Sequence, residues 1–155
     1  MFDGVTIKDS AAIIWVKRWM KFMIIALLVI GAVSAHRAYF QVRSLDLKAP
    51  QVLEDRAVIE GEAVGSGRGP IDVVATLTQD DQSETIFTFR VPGNELGFFD
   101  PRPQRVFYSM KLNDEVAVRF KPGAVRLRVV ATGRPAWGRL PPPTVREAEV
   151  TIPSR

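Results

Sequence analysis

Fourteen consecutive residues, Phe22 to Ala35, carry no charge and are almost wholly apolar, and no other stretch constrains the chain as much. A bilayer's hydrocarbon core of about 30 Å needs roughly 20 residues of helix, so this run alone is too short to cross. It reaches spanning length if Lys21, His36 and Arg37 snorkel toward the headgroups. Trp19 and the pair Tyr39 and Phe40 then fall about 30 Å apart at ~1.5 Å per residue, where interfacial aromatic belts belong. The expectation is a single transmembrane α-helix over residues 19–40. A cleaved secretory signal is the alternative, since Lys17, Arg18 and Lys21 precede the apolar run and Val33-Ser34-Ala35 supplies small residues. The long lead before the basic cluster favours an uncleaved signal anchor.

Basic residues flank the run almost equally: Lys8, Lys17, Arg18 and Lys21 before it, Arg37, Arg43 and Lys48 after it. The slight excess on the first side puts the N-terminus in the cytoplasm. The C-terminal part is then periplasmic, on a bacterial inner membrane. Residues 1–18 read as a lead and interfacial helix, with Asp9 and Ser10 as caps and Trp15 and Trp19 four apart on one face. Both tryptophans are candidates for packing against a neighbouring subunit as well as for setting depth. Residues 41–50 lose the helical period and end at Pro50, which reads as a short stalk.

The formal net charge is +4. Residues 1–45 hold six basic and two acidic side chains, which leaves fifteen of each from the chain's 21 and 17. The excess therefore belongs to the anchor, and residues 46–155 show no net basic footprint for nucleic acid. The chain has no cysteine, which excludes disulfides, thiolate metal sites and thiol catalysis.

Residues 51–155 read as strands: 56–64, 71–78, 85–91, 105–112, 125–132 and 145–152. They are rich in valine, isoleucine, threonine and aromatics and are separated by Gly, Pro, Asp and Asn. No helical period competes, so the expected fold is an all-β antiparallel sandwich. The segment Phe120 to Ala131, in which Pro122-Gly123 leads into alternating core residues, resembles the late part of bacterial immunoglobulin-like and fibronectin type III-like domains. Ile59-Glu60-Gly61-Glu62-Ala63 is similar to their second strand. The resemblance implies a binding or bracing fold and no particular activity.

His36, the only histidine, follows Ala32 by four residues, so the two share a helix face and leave room for a ligated macrocycle. Ala-Val-Ser-Ala-His is similar to the Ala-x-x-x-His element of bacterial light-harvesting polypeptides, which implies bacteriochlorophyll contact at Ala32 and His36 in a photosynthetic assembly. An interfacial histidine is the plainer reading. Gly65-Ser66-Gly67-Arg68-Gly69 precedes Pro70 and a strand, not the helix a phosphate loop needs, and reads as a flexible turn. Asp80-Asp81, Asp114-Glu115 and Glu60/Glu62 lack calcium-loop spacing and read as solvated acids. Trp137, Arg139 and Leu140, before Pro141-Pro142-Pro143, have the composition of an interface hot spot on a stiff backbone. Phe99 is a second candidate partner contact. The sum is a non-catalytic accessory subunit without its own cofactor or metal, partnered by integral membrane subunits and lipid; the alternative is a free-standing membrane-anchored binding or envelope-assembly module.

Overall fold

The computed structural model describes residues 11–53, 56–94, 100, 102–112, 114–136 and 138–152. The chain forms two compact units that part between Ala35 and His36.

Helix α1 runs Ala11–Tyr39, 29 residues, or about 43 Å. It holds no proline and a single glycine, Gly31, and His36 and Arg37 complement the carbonyl end of its dipole. The backbone N–H of Gln41 donates to the carbonyl of Ala38 (3.2 Å) and closes the last turn. Ile13, Trp15, Phe22, Leu27, Leu28 and Ile30 are exposed, and apolar side chains occupy all sides of α1. Among the described residues no helix is, by itself, long and apolar enough to cross a membrane. This leaves the expected transmembrane helix over 19–40 unsupported: α1 is long enough, but its uncharged part covers only about 21 Å.

The second unit is built from antiparallel strands β1 (Val42–Leu47), β2 (Gln51–Leu53), β3 (Arg56–Gly65), β4 (Ile71–Gln79), β5 (Gln82–Val91), β6 (Arg105–Lys111), β7 (Gly123–Gly133) and β8 (Thr144–Ile152), with a one-turn helix α2 (Asp114–Ala117). β1 and β2 pair in series along one edge of β3, Leu47 opposite Gly61 and Gln51 opposite Val58. β6 pairs along the other edge, so this sheet is three strands wide. The second sheet is ordered β5-β4-β7-β8.

Six of these strands are the six read from the sequence. The stalk over 41–50 is corrected, because Val42–Leu47 is a paired strand with Val42 and Leu45 buried. Its register shifts between Val42 and Ser44, so the buried residues fall three apart instead of two.

Alternation places Ile59 and Ala63 of one sheet and Val73, Leu77, Leu127 and Val129 of the other in one shared core. Each large aliphatic side chain fully buried there contributes about 1.5–3 kcal/mol. β1 and β8 meet along one side without a ladder. Thr144 Oγ1 donates to the carbonyl of Val42 (2.9 Å) and Arg146 Nε to that of Leu45 (2.9 Å). Gly61 lies opposite Tyr108, whose hydroxyl donates to the carbonyl of Asp46 (3.2 Å). A Cβ at Gly61 would collide with that hydroxyl and that carbonyl, so only glycine fits beneath the ring.

Candidate functional site

Strand directions bring the end of α1 and three connections to one end of the sandwich: residues 66–70, 92–104 and 134–143 all open where Phe40 enters the fold. Phe40 is only 2% exposed. Glycines receive it: a Cβ at Gly69 would collide with its ring, one at Gly133 with its carbonyl oxygen, and one at Gly67 with the ring of Tyr39. The turn from Gly65 to Gly69, read as flexible, is instead a tightly occupied seat. Tyr39 and Phe40 meet edge to face (5.0 Å between centroids), so this pair does not form the expected interfacial belt.

Backbone bonds tie the connections together. The N–H of Ser66 donates to the carbonyl of Gln41 (2.8 Å), that of Gly65 to Gln104 (2.8 Å), and that of Arg134 to Pro70 (3.0 Å). Side-chain amide nitrogen Nε2 of Gln104 adds a bond to the carbonyl of Pro92 (2.9 Å).

The same end is rich in arginine, and its two described loop and strand-end carboxylates each face two guanidiniums. Asp72 accepts from Arg90 Nε (2.7 Å) and Arg134 Nη1 (3.0 Å). The Arg90 bond first, then Arg134, hold its carboxyl below the usual range against the opposing effect of burial. Asp100 accepts from Arg102 Nη2 (2.8 Å), with Arg68 Nε at 3.9 Å. The side-chain and backbone bonds from Arg102 lead in lowering its pKa to about 2. Neutralising one carboxylate takes one cation, so each cluster keeps a surplus positive charge. Arg43 and Arg139 add exposed guanidiniums, and Arg43 Nε donates to Ser66 Oγ (3.2 Å). An open recess of about 550 Å³ lies between Arg68, Gly93, Asn94, Asp100, Gln104 and Arg105.

The expected site residues distribute as follows. Arg139 and Leu140 stand at this end, exposed, with Leu140 54% accessible. Phe99 and Trp137 lie outside the described residues. Trp15 and Trp19 are exposed on α1 with ring centroids 5.5 Å apart. Ala32 is exposed, while His36 is half-buried with its imidazole 4.8 Å from the ring of Phe40. That contact gives His36 a packing role and lends no support to pigment ligation.

The acidic pairs stay apart from one another. Glu60 bonds Lys48 (2.9 Å), which leads in lowering its pKa; Glu62 sits 3.8 Å from Arg105, and Asp80 3.5 Å from Lys121. Among the described residues no group of three His, Cys, Asp or Glu side chains is placed to hold a metal ion. The residues missed in the sequence are Arg43, Arg68, Arg102 and Arg134. Their shared feature is position at strand ends, which appears only once the strands are assigned directions.

No family model matches the chain and no curated protein is similar to it. Among solved structures, the chain is similar to a crystal structure of a protein from Archaeoglobus fulgidus, at 17% identity over 72% of this chain and 97% of that one, with a TM-score of 0.36. It is also similar to a solution structure of a protein from Arabidopsis thaliana, at 11% identity over 74% of this chain and 81% of the other, with a TM-score of 0.38.

Proposed function

We propose that this protein is a non-catalytic accessory subunit of an integral membrane complex, with α1 held in an apolar phase and the sandwich bracing partner subunits. The observation that carries this reading is the surface of α1 over residues 22–35, apolar on every side. A helix of that kind is stable only when surrounded by protein or lipid. Because its uncharged run falls short of a bilayer, Lys21 and Arg37 must snorkel, or neighbouring subunits must shield the ends. Both conditions favour a helix that works in company. The slight basic excess before the apolar run supports a cytoplasmic N-terminus, with the sandwich in the periplasm of a bacterial inner membrane.

The sandwich supports a bracing role through its strand order. One sheet holds β1, β2, β3 and β6 and the other β5, β4, β7 and β8, with crossings between sheets after β3, β5 and β6. This is the arrangement expected of a fibronectin type III-like or immunoglobulin-like domain, a fold used widely for binding. Arg139 and Leu140 are exposed on it. The assignment is tested by extracting the full chain from native membranes in mild detergent. Integral subunits should co-purify in fixed ratio, and a chain that runs alone rules the reading out.

A further inference from the structure

Over residues 46–155 basic and acidic side chains balance, and Arg43 of β1 adds one more cation, but the arginines gather at one end. Arg43, Arg68, Arg102, Arg105, Arg134 and Arg139 all stand at the Phe40 end, where Asp72 and Asp100 are already paired twice over and Glu62 faces Arg105 (3.8 Å). The opposite end mixes Lys48, Arg56, Lys111, Arg119 and Lys121 with Asp80, Asp81, Glu84 and Glu115, and Arg119 is paired there with Glu84 (2.7 Å) and Lys121 with Asp80 (3.5 Å). The arginine end also carries the connection 134–143, in which exposed Leu140 follows Arg139 and precedes three prolines. Pro141 is buried, which fixes the base of that connection on the domain and leaves Leu140 projecting from it.

We infer that the Phe40 end of the sandwich docks on an anionic lipid surface, with Arg68, Arg134 and Arg139 against headgroup phosphates and Leu140 at the acyl boundary. Three observations select lipid over a soluble polyanion. Guanidiniums present paired N–H groups that match phosphate oxygens. An exposed leucine beside arginines is the pattern of a shallowly inserted membrane contact. The chain reaches this end directly from α1, whose residues 22–35 expose apolar side chains on every side and favour an apolar phase. In this last respect the inference rests on the reading of α1 given above.

The chain lacks cysteine, so one can be placed at will. Full-length Leu140→Cys and, as the opposite-end control, Asp81→Cys are labelled with a polarity-sensitive fluorophore. Each is mixed with vesicles of phosphatidylcholine alone or with added phosphatidylglycerol, and flotation is measured in parallel. The expected result is a blue shift at position 140 in anionic vesicles only, reversed by high salt, with none at position 81. Each of Arg68→Gln, Arg134→Gln and Arg139→Gln should weaken the lipid-dependent shift by about fivefold.

Flotation with anionic vesicles alone, reversed by salt and with position 140 leaving water, upholds docking and removes the anchor. Flotation with both vesicle types while position 140 stays in water upholds the anchor and overturns docking. Failure to float at all overturns both. Heparin binding by a protein whose position 140 stays in water on vesicles assigns the face to soluble polyanions and also overturns the proposal.

Discussion

Helix α1 and the sandwich spend their apolar residues in opposite ways. In α1, Phe22, Leu27, Leu28 and Ile30 point outward on all sides, whereas in the sandwich Leu45, Leu77, Leu127 and Val129 are fully enclosed between two sheets. The contrast teaches that the sandwich supplies its own core, while α1 depends on what surrounds it. The same kind of side chain therefore does different work in the two regions, and substitution should separate them.

Leu127→Ala should cost the sandwich about 2–5 kcal/mol by opening a cavity. Leu28→Ala, which removes the same atoms from α1, should leave the denaturant midpoint of the sandwich unchanged, as read by a tryptophan-independent probe such as far-ultraviolet dichroism. Equal losses from both changes would break the contrast. Next in size is Gly133→Ala, whose new methyl group would meet the carbonyl oxygen of Phe40. Backbone oxygen cannot rotate away as a side chain can, so a loss of about 1–3 kcal/mol is expected for this overpacking. Gly31→Ala is the matching change in α1. It meets nothing within 4 Å, and helix propensity predicts a gain of up to about 1 kcal/mol.

Tyr108→Phe should cost about 1 kcal/mol through loss of the bond to the carbonyl of Asp46. Burial, then the Asp46 charge, raise its hydroxyl to about 12. A raised pKa means that the folded state holds the proton more tightly. This contribution is present below about pH 10 and fades as the pH climbs through about 12, which ultraviolet titration of the phenol should show.

The smallest effect is expected in acid. Asp72 and Asp100 have lowered pKa values, so their pairing favours the fold above the ordinary carboxylate range and is lost as the pH falls through the folded values, about 2 for Asp100. Carboxyl carbon shifts should follow this order, and Asp100→Asn should flatten the acid limb of the stability curve only slightly, because exposed pairs contribute little.

Much of the sandwich was legible because strands such as Ile71–Gln79 and Gly123–Gly133 alternate without interruption. β1 was not, since its bulge separates Val42 from Leu45 by three residues and Lys48 to Pro50 breaks it from β2. α2 has four residues, too few for a period to show. The seat for Tyr39 and Phe40 was hidden for another reason. Glycines 67 and 69 look permissive in a sequence, and only the fold shows that aromatic rings fill the space beside them. Composition singled out Arg139 and Leu140, and the structure leaves both exposed. The arginine end was not legible: a count of fifteen basic and fifteen acidic residues over 46–155 cancels to nothing, and only strand direction shows that arginines gather at one end.

The seam between β1 and β8 has a mechanical consequence. Tension arriving at Phe40 pulls β1 along its own axis, while a load at the end of β8 pulls the opposite way, because both strands run from the same end of the sandwich. The β1–β3 ladder and the two bonds from Thr144 and Arg146 are then strained together instead of parting one at a time. The first strand of the domain is thus built as a shear joint, suited to carrying force from whatever holds α1 into the body of the sandwich.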